Sequence, residues 1–231
     1  MTRADATPIP DYARMLRLDG RQYVVLGAGQ GIGRQAVHAL ASNGARVFCV
    51  DVDAEKADDV AHECGHGAIA WQGDVSVRSE VERLFRDVGD AFGGRLDGFV
   101  DIVGRAQYAD VAELTDELWD WHFAQNLRHA WLAMQAALPL LEANGRGELT
   151  FVASASGITS APRHPAYGAA KAGLMSLVRT AAVELGPKNV RVNAVAPGVV
   201  WTPRVSGYLG DKGKARNEAN APLRRVTYPS N

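Results

Sequence analysis

A glycine-rich turn between an apolar strand and a helix constrains the fold of this chain more than any other feature. Residues 23–26 form an apolar run that predicts a strand, residues 27–33 read GAGQGIG, and residues 34–41 have helical character. Glycines allow a tight turn and a close backbone approach, and a helix N-terminus offers free N–H groups to an anion. The segment therefore predicts a phosphate-binding turn. Its candidate contacts are Gly27, Gln30, Gly31, Ile32 and Gly33.

An acidic residue at the end of the next apolar run indicates which nucleotide binds there. Residues 46–50 predict a second strand, and Asp51 follows it, eighteen positions after Gly33. A carboxylate at this place accepts hydrogen bonds from the ribose hydroxyls of adenosine and repels a 2′-phosphate. No lysine or arginine follows Asp51 before Lys56. The sequence therefore predicts NAD rather than NADP as the cofactor. The alternative is that Asp51 only caps the next helix.

Tyr167 and Lys171 form a candidate proton-transfer pair. They are four positions apart in an alanine-rich segment that predicts a helix, so both side chains leave the same face. A tyrosine needs roughly 4 kcal/mol of preference for phenolate to titrate near neutral pH. An ammonium group about 4 Å away supplies roughly that much at an effective dielectric constant near 20. The alternative is a half-buried tyrosine beside a solvated lysine.

Strands and helices alternate along the chain. Strands are expected near residues 22–26, 46–50, 68–72, 96–103, 148–154 and 190–195. Helices are expected near 31–42, 54–63, 76–92, 115–142 and 165–185. This alternation predicts an α/β fold, a Rossmann-type doubly wound parallel sheet with helices on both faces. We expect a single domain over 18–231, an N-terminal extension over 1–17, and a mobile lid over the polar segment 201–222.

With these motifs the chain resembles the short-chain dehydrogenase/reductase family from about Leu18 to its C-terminus. The resemblance implies hydride transfer between the nicotinamide of NAD and a secondary alcohol or ketone. Tyr167 is implied to transfer the hydroxyl proton, Lys171 to lower the pKa of Tyr167, and Ser154 to hold the substrate oxygen. Asn126 is implied to hold a water that relays protons outward. Ser154 as a turn serine and Asn126 as a satisfied helix residue are the alternatives.

The same resemblance assigns further cofactor contacts. Tyr167 and Lys171 are implied to contact the cofactor as well as the substrate. The remaining implied contacts are Asp74, Val75, Gly104, Pro197, Gly198, Val200 and Thr202.

Three positions depart from the family pattern. Leu26 stands where the family usually has a threonine, and Asp101 stands where it has an asparagine. A buried Asp101 is either a proton-handling carboxylate near the nicotinamide ribose or a structural carboxylate that accepts backbone N–H groups. The structural interpretation is preferred, because burial demands partners first. The chain is also expected to lack the family's last helix and strand, which leaves the sheet edge near residue 195 uncovered unless the sequence is truncated.

Composition limits the possible partners. The 231 residues are 47% hydrophobic with a formal net charge of −1, and no dense block of lysine and arginine favours nucleic acid or an anionic membrane. No apolar stretch approaches the roughly 20 residues that span a bilayer, and residues 1–11 lack the apolar core of a signal peptide. Cys49 and Cys64 fit reduced thiols. We therefore expect a cytoplasmic protein.

Other candidate features carry less specific signals. Residues 62–66 (HECGH) have metal-ligand types, but no second cluster completes a site, so no metal is predicted. Trp119, Trp121 and Trp131 fall on the helix where the family builds its subunit interface, which implies a homo-oligomer, a dimer or tetramer. Arg163 and His164 either select an acidic or polar substrate or are plain loop residues.

Two classes of function stay open. The first is an NAD-dependent dehydrogenase for a small alcohol or ketone, cyclic or hydrophobic if Trp201 and Tyr208 of the lid contact it. The second is a catalytically silent NAD-binding sensor or assembly subunit of the same fold. An epimerase or dehydratase that keeps its NAD tightly bound is a third and smaller possibility.

Overall fold

A six-stranded parallel sheet forms the centre of the computed structural model, which describes residues 9–159 and 161–231. The strands are β1 (Gln22–Leu26), β2 (Arg46–Asp51), β3 (Ile69–Gln72), β4 (Gly98–Asp101), β5 (Gly147–Val152) and β6 (Val190–Val195). Their order is β3-β2-β1-β4-β5-β6, and every neighbouring pair is parallel. This is the doubly wound arrangement of a dinucleotide-binding fold, so the predicted fold class is confirmed.

Eight α-helices accompany the strands in the described part of the chain. They are α1 (Tyr12–Met15), α2 (Gly31–Ser42), α3 (Ala54–Cys64), α4 (Arg78–Phe92), α5 (Asp116–Phe123), α6 (His129–Asn144), α7 (Pro165–Leu185) and α8 (Pro203–Asn220). The helix predicted over 115–142 is therefore interrupted, because a π-helical turn over Ala124–Arg128 separates α5 from α6. Such turns widen a helix by one residue and are frequent at functional sites.

Apolar side chains cover both faces of the sheet. One cluster joins the strands to α4, α6 and α7, with Phe99 and Phe151 at its centre. The two rings meet edge to face with centroids 5.4 Å apart. A second cluster packs α2 and α3 on the other face, around Val25 and Val37. Burial on both faces is the reason that these strands read as continuous apolar runs in the sequence.

Two strands end earlier than predicted, and in each case a side chain turns the backbone out of the sheet. Asp101 accepts a hydrogen bond from the N–H of Val103 at 3.0 Å, which ends β4 two residues before the predicted limit. Ser154 accepts one from the N–H of Ser156 at 3.1 Å and starts a short 3₁₀ turn after β5. Both residues thereby lie at the carboxyl edge of the sheet.

Helix α8 was not predicted. The segment 201–222 was expected to be a mobile polar lid, with no helix assigned to it, and it is helical over Pro203–Asn220, with a kink at Gly210. Thr202 accepts a hydrogen bond from the N–H of Val205 at 3.2 Å, and Pro203 occupies the first helical position. A threonine followed by proline is a helix-start signal, which the glycines and polar residues downstream obscured. The mobility of this lid stays a prediction.

The two ends of the chain meet the domain in different ways. The N–H of Leu18 binds the C=O of Asn43 at 2.7 Å, and Leu18 packs against the second apolar cluster. Residues 1–8 of the predicted extension lie outside the described residues. Among those described, β6 pairs with β5 alone, and none of the helices is both long and apolar enough to cross a membrane.

Candidate active site

A cavity of about 1070 Å³ lies at the carboxyl ends of the strands, where the strand order reverses between β1 and β4. Ligands of open α/β sheets bind at this point. The parallel register brings Leu26 level with Val50 on one side and with Asp101 on the other. Of the predicted site residues, all but Gly33 and Asn126 line this cavity: Gly27, Gln30, Gly31, Ile32, Asp51, Asp74, Val75, Gly104, Ser154, Tyr167, Lys171, Pro197, Gly198, Val200 and Thr202.

The first turn of helix α2, which follows directly on the glycine turn, has backbone donors without an acceptor inside the helix. Helix α2 begins at Gly31 (φ +58°), and its N-cap residue Gln30 makes no side-chain capping bond, so the first N–H groups of the helix lack an internal acceptor. Beneath the turn, Gly33 packs directly on Gly27, whose carbonyl oxygen would overlap any added Cβ. The N–H groups of Gly27 and Ala28 both bind the C=O of Val50 at 2.9 Å, which ties the turn to β2 although Leu26 has no hydroxyl.

The carboxylate of Asp51 faces the glycine turn. Its Oδ2 accepts a hydrogen bond from the N–H of Gly29 at 2.9 Å, and its Oδ1 accepts one from the N–H of Asp53 at 3.1 Å. The N-cap of α3 is Asp53, which accepts from the N–H of Lys56 and pairs with the ammonium group of that lysine. The alternative in which Asp51 caps the helix is therefore wrong.

These residues fit a dinucleotide. An added Cβ at Gly29 would lie 2.5 Å from Cβ of Lys56 and 2.9 Å from Oδ2 of Asp51, so the cradle has no room for side chains. Thr202, at the base of α8, lies 3.0 Å from the corresponding Cβ position at Gly31. Asp74 is exposed at the other wall and accepts bonds from Ser76, from the N–H at 2.9 Å and from the hydroxyl at 2.7 Å. Free N–H groups therefore suit the pyrophosphate, and Asp51 suits the adenosine ribose.

The pKa of Tyr167 differs from the expectation. Burial raises this pKa above its ordinary value, and the nearby Ser154 hydroxyl acts in the opposite direction. The spacing to Lys171 had predicted a lowered pKa. Ser154 also accepts a hydrogen bond from the N–H of Ser156, so this serine both stabilises the turn and lines the cavity.

The ammonium group of Lys171 explains that difference. Lys171 is 2% exposed, and its Nζ donates to the C=O of Val152 at 2.8 Å, with no hydrogen bond to the phenol among the described residues. Burial lowers the pKa of Lys171 to about 8, and the charge of Asp101 acts in the opposite direction. A shared helix face thus brings Tyr167 and Lys171 to one cavity but does not make the ammonium group the direct partner of the phenol.

Asn126 lies behind the cavity wall rather than on it. It is fully buried in the π-helical turn, its Oδ1 accepts from the N–H of Arg105 at 3.0 Å, and its Nδ2 donates to the C=O of Arg105 and of His122, each at 2.9 Å. Asn126 is therefore a satisfied helix residue that fixes the loop after β4. Its Oδ1 would lie 3.1 Å from a Cβ at Gly104, so Asn126 is packed directly behind this cavity-lining glycine.

Four rings form a column from the lid to the phenol. Tyr208 of α8 stacks on Tyr108 with centroids 4.7 Å apart, Tyr108 lies 4.3 Å from His164, and His164 meets Tyr167 at 5.3 Å. Both ring nitrogens of His164 are buried without a partner among the described residues, and burial lowers its pKa. Arg163 lies exposed at the rim, 5.9 Å from the ring of Tyr108. His164 therefore lines the cavity, whereas Arg163 lies at its rim.

Three cavity residues were missed or misassigned by sequence analysis. Tyr108 follows β4 in a loop without a motif, and Trp121, expected in core or interface packing, lines the cavity. Arg204 donates to the C=O of Gly104 at 3.2 Å across one hundred positions of sequence. Burial and Arg105 lower the pKa of Arg204, and Asp51 raises it. The helix-start signal at Thr202 would have placed Arg204 on the first turn of α8, but no local pattern shows where that turn packs.

A parallel sheet of this order, with a glycine turn and an acidic residue at its switch point, defines the class of dinucleotide-binding α/β proteins. The chain belongs to the short-chain dehydrogenase/reductase family of oxidoreductases. Residues 27–231 match the family model described as Enoyl-(Acyl carrier protein) reductase. Members of this family normally use a nicotinamide cofactor, either NAD or NADP.

Similar proteins include dehydrogenases with hydroxylated substrates in their names. A probable galactose dehydrogenase of Rhizobium meliloti is 34% identical over 90% of this chain and 83% of its own length. A D-threitol dehydrogenase of Mycolicibacterium smegmatis is 35% identical over 92% of this chain and 83% of its own. The crystal structure of gox2181 superposes with a TM-score of 0.89 at 30% identity, covering 95% of this chain and 88% of that one.

Proposed function

We propose that this chain is an NAD-dependent dehydrogenase that interconverts a small secondary alcohol and its ketone. The observation that carries the proposal is that a dinucleotide cradle with Asp51 and a cluster of Ser154, Tyr167 and Lys171 line one cavity. We also propose catalytic roles for Ser154, Tyr167 and Lys171.

In the proposed mechanism the protein positions the alcohol and moves one proton. The glycine turn and Asp51 would hold NAD, which would supply a hydride acceptor for the carbinol carbon. Ser154 holds the substrate oxygen, and Tyr167 takes the hydroxyl proton during oxidation or donates it during reduction. Because burial raises the pKa of Tyr167, the phenol is protonated at neutral pH and ready to donate to a ketone. Lys171 supplies positive charge at the cavity floor, and Asn126 fixes the adjoining loop.

Asp51 supports NAD as the cofactor. The nearest cation along the chain, Lys56, is paired with Asp53, and the carboxylate of Asp51 accepts the N–H of Gly29 in the turn. We expect Asp51→Asn to reduce the preference for NAD over NADP by about tenfold or more, because one charged hydrogen-bond acceptor and its repulsion of a 2′-phosphate are both lost. Titrating both reduced cofactors by their fluorescence checks this.

Glu55→Gln is the matched control for Asp51→Asn. Glu55 lies in the first turn of α3, is exposed and does not line the cavity. Its substitution therefore removes the same charge without altering the glycine turn. An Asp51→Asn protein with the discrimination of wild type contradicts the NAD assignment.

The ring column supports a small substrate with hydroxyl groups beside a flat apolar face. Tyr108 and Tyr208 supply ring surfaces, and His164, whose ring nitrogens have no partner among the described residues, lines the same cavity. The names of the galactose and D-threitol dehydrogenases fit a hydroxylated substrate. We therefore propose polyols and hydroxylated rings, with their ketones, as the first substrates to test.

Removing the outer ring of this column should weaken substrate binding. We expect Tyr208→Ala to raise KM about two- to tenfold with little change in cofactor affinity, because one stacked aromatic pair is lost. Tyr208→Phe keeps the ring and should retain the wild-type KM. Tyr12→Ala removes an exposed tyrosine outside the cavity as a control. Equal KM values for Tyr208→Ala and Tyr12→Ala would exclude a substrate contact by the lid.

The test of the function is NADH formation from NAD across a panel of secondary alcohols, with the reverse reaction on the ketones. Turnover with net NADH release supports the dehydrogenase. Tight NAD binding with isomer exchange but no NADH release supports an epimerase. Binding without any turnover supports the silent cofactor-binding protein.

The domain boundary, the oligomeric state and the cellular location are also part of this proposal. A boundary near residue 18 is supported by the packing of Leu18. A homo-oligomer, dimer or tetramer, is supported by Trp119 and Trp131, which are 41% and 43% exposed on α5 and α6. A cytoplasmic location is supported by Cys49 and Cys64, both buried as free thiols.

A further inference from the structure

Two buried titratable side chains behind the cavity take no part in the mechanism above. Asp101 ends β4 and is 2% exposed, and His129 begins α6 and is fully buried. Nε2 of His129 lies 3.2 Å from Oδ1 and 3.0 Å from Oδ2 of Asp101, and the N–H of Val103 donates to Oδ1 at 3.0 Å. The carboxylate is thus held by a helix and by its own loop together.

Val103 connects this pair to Lys171. While the N–H of Val103 binds Asp101, its C=O lies 3.5 Å from Nζ of Lys171. The next residue, Gly104, leaves space for the ammonium group, because an added Cβ there would lie 2.8 Å from Nζ. Asp101 and Lys171 therefore bind the same backbone residue at the cavity floor.

The charges of the two side chains are complementary. The hydrogen bond of His129 is made to Oδ1 of Asp101, so Oδ2, although 3.0 Å from Nε2, accepts no hydrogen bond in the described part of the chain, and Nδ1 of His129 has no partner there. A buried charge of this kind is tolerated when an opposite charge is near. Asp101 is the anionic group that opposes the effect of burial on the pKa of Lys171. In the described residues, the other titratable groups that line the cavity or are buried behind it are Asp51, Asp53, Lys56, Asp74, Arg105, Tyr108, His122, His129, His164, Tyr167, Arg204 and Tyr208.

We propose that Asp101 and His129 are positioning residues for Lys171, in which the carboxylate is the buried counter-charge of the ammonium group and the imidazole fixes that carboxylate. The claim that this arrangement serves catalysis rests on the proposed dehydrogenase function. Its consequence is that the pair sets the pH above which Lys171 loses its charge.

The titration of Lys171 can be followed without a substrate. The chain contains five lysines, so selective ¹³C labelling of lysine gives few side-chain signals, and Lys171→Arg assigns the one of interest. The five are Lys56, Lys171, Lys188, Lys212 and Lys214. We expect the Lys171 midpoint to fall by on the order of one pH unit in Asp101→Asn, because the nearby negative charge is lost. His129→Leu should lower it as well, and His129→Gln, which keeps an N–H donor, should restore it partly.

Asp97→Asn is the matched control. Asp97 is a second buried carboxylate, 6% exposed, at the opposite end of β4, where it accepts the N–H of Gln22 at 2.9 Å. A Lys171 midpoint that is unchanged in Asp101→Asn, or that moves equally in Asp97→Asn, overturns the proposal. If Asp101→Asn does not fold, an unchanged midpoint in His129→Leu overturns it instead.

The pH profile of turnover separates this proposal from the function itself. In an active enzyme, Asp101→Asn should lose activity at a lower alkaline pH than wild type, while Asp97→Asn should not. A wild-type protein without turnover would contradict the proposed function, and the lysine titration would still decide whether Asp101 is the counter-charge.

Discussion

Tyr167→Phe is expected to reduce alcohol oxidation and ketone reduction by about 10²–10⁴-fold, the contribution of a positioned general acid or base. The substitution removes one oxygen and keeps the ring. The centroid of this ring lies 5.3 Å from that of His164 and 6.1 Å from that of His122. Folding and cofactor affinity should therefore remain near wild type. Steady-state kinetics in both directions, with cofactor fluorescence titration on the same samples, measure the two effects separately.

Tyr23→Phe is the matched control for this experiment. Tyr23 is 3% exposed, and its hydroxyl donates to Glu148 at 2.8 Å near the starts of β1 and β5, at the opposite end of the sheet from the cavity. Losing that bond should lower stability by about 1 kcal/mol and leave turnover unchanged. If Tyr167→Phe keeps more than about a tenth of wild-type turnover, the phenol is not the proton-transfer group.

The direction of the Tyr167 pKa adds a pH signature. Because burial raises this pKa, oxidation should accelerate as pH rises toward it, whereas reduction should be fastest below it. The limb that belongs to Tyr167 must vanish in the phenylalanine variant. A residual limb at the same pH would assign it to another group.

The fold could be predicted because its signals are local. The glycine turn, the apolar strands and the acidic residue after β2 each lie within one stretch of sequence, and the parallel register then brings their ends together. The order of the strands determines where the cavity lies. Helix α8 was missed because its start signal, Thr202 before a proline, is short and its body is polar.

The electrostatics of the site could not be predicted in the same way. Spacing placed Tyr167 and Lys171 on one helix face, but the direction of the ammonium group depends on Val152 and the loop after β4, which are distant in sequence. The burial that raises the pKa of Tyr167 is likewise a property of the packed cavity. Arg204 reaches Gly104 only through the packing of α8 against that loop.

Gly33→Ala is expected to abolish most cofactor binding, with a loss of affinity on the order of 100-fold because several N–H contacts to the pyrophosphate shift together. An added Cβ overlaps the carbonyl oxygen of Gly27 and lies 2.8 Å from its carbonyl carbon and 3.2 Å from Cα of Ala28. These are backbone atoms, and they cannot retreat, since the N–H groups of both residues are bound to Val50 at 2.9 Å. The start of α2 must move instead, at a cost of about 1–3 kcal/mol in unfolding free energy.

Gly186→Ala separates this local clash from the general effect of replacing a glycine. An added Cβ at Gly186 has no atom within 4 Å, and the φ of −54° at this residue suits alanine. The free energy of unfolding of the Gly186→Ala protein should therefore stay unchanged or rise by about 0.4–1 kcal/mol. Cofactor fluorescence and thermal unfolding on both variants give the comparison. If Gly33→Ala binds NADH like wild type, the cofactor does not rest on the turn, because the clash leaves no way to keep those N–H groups in place.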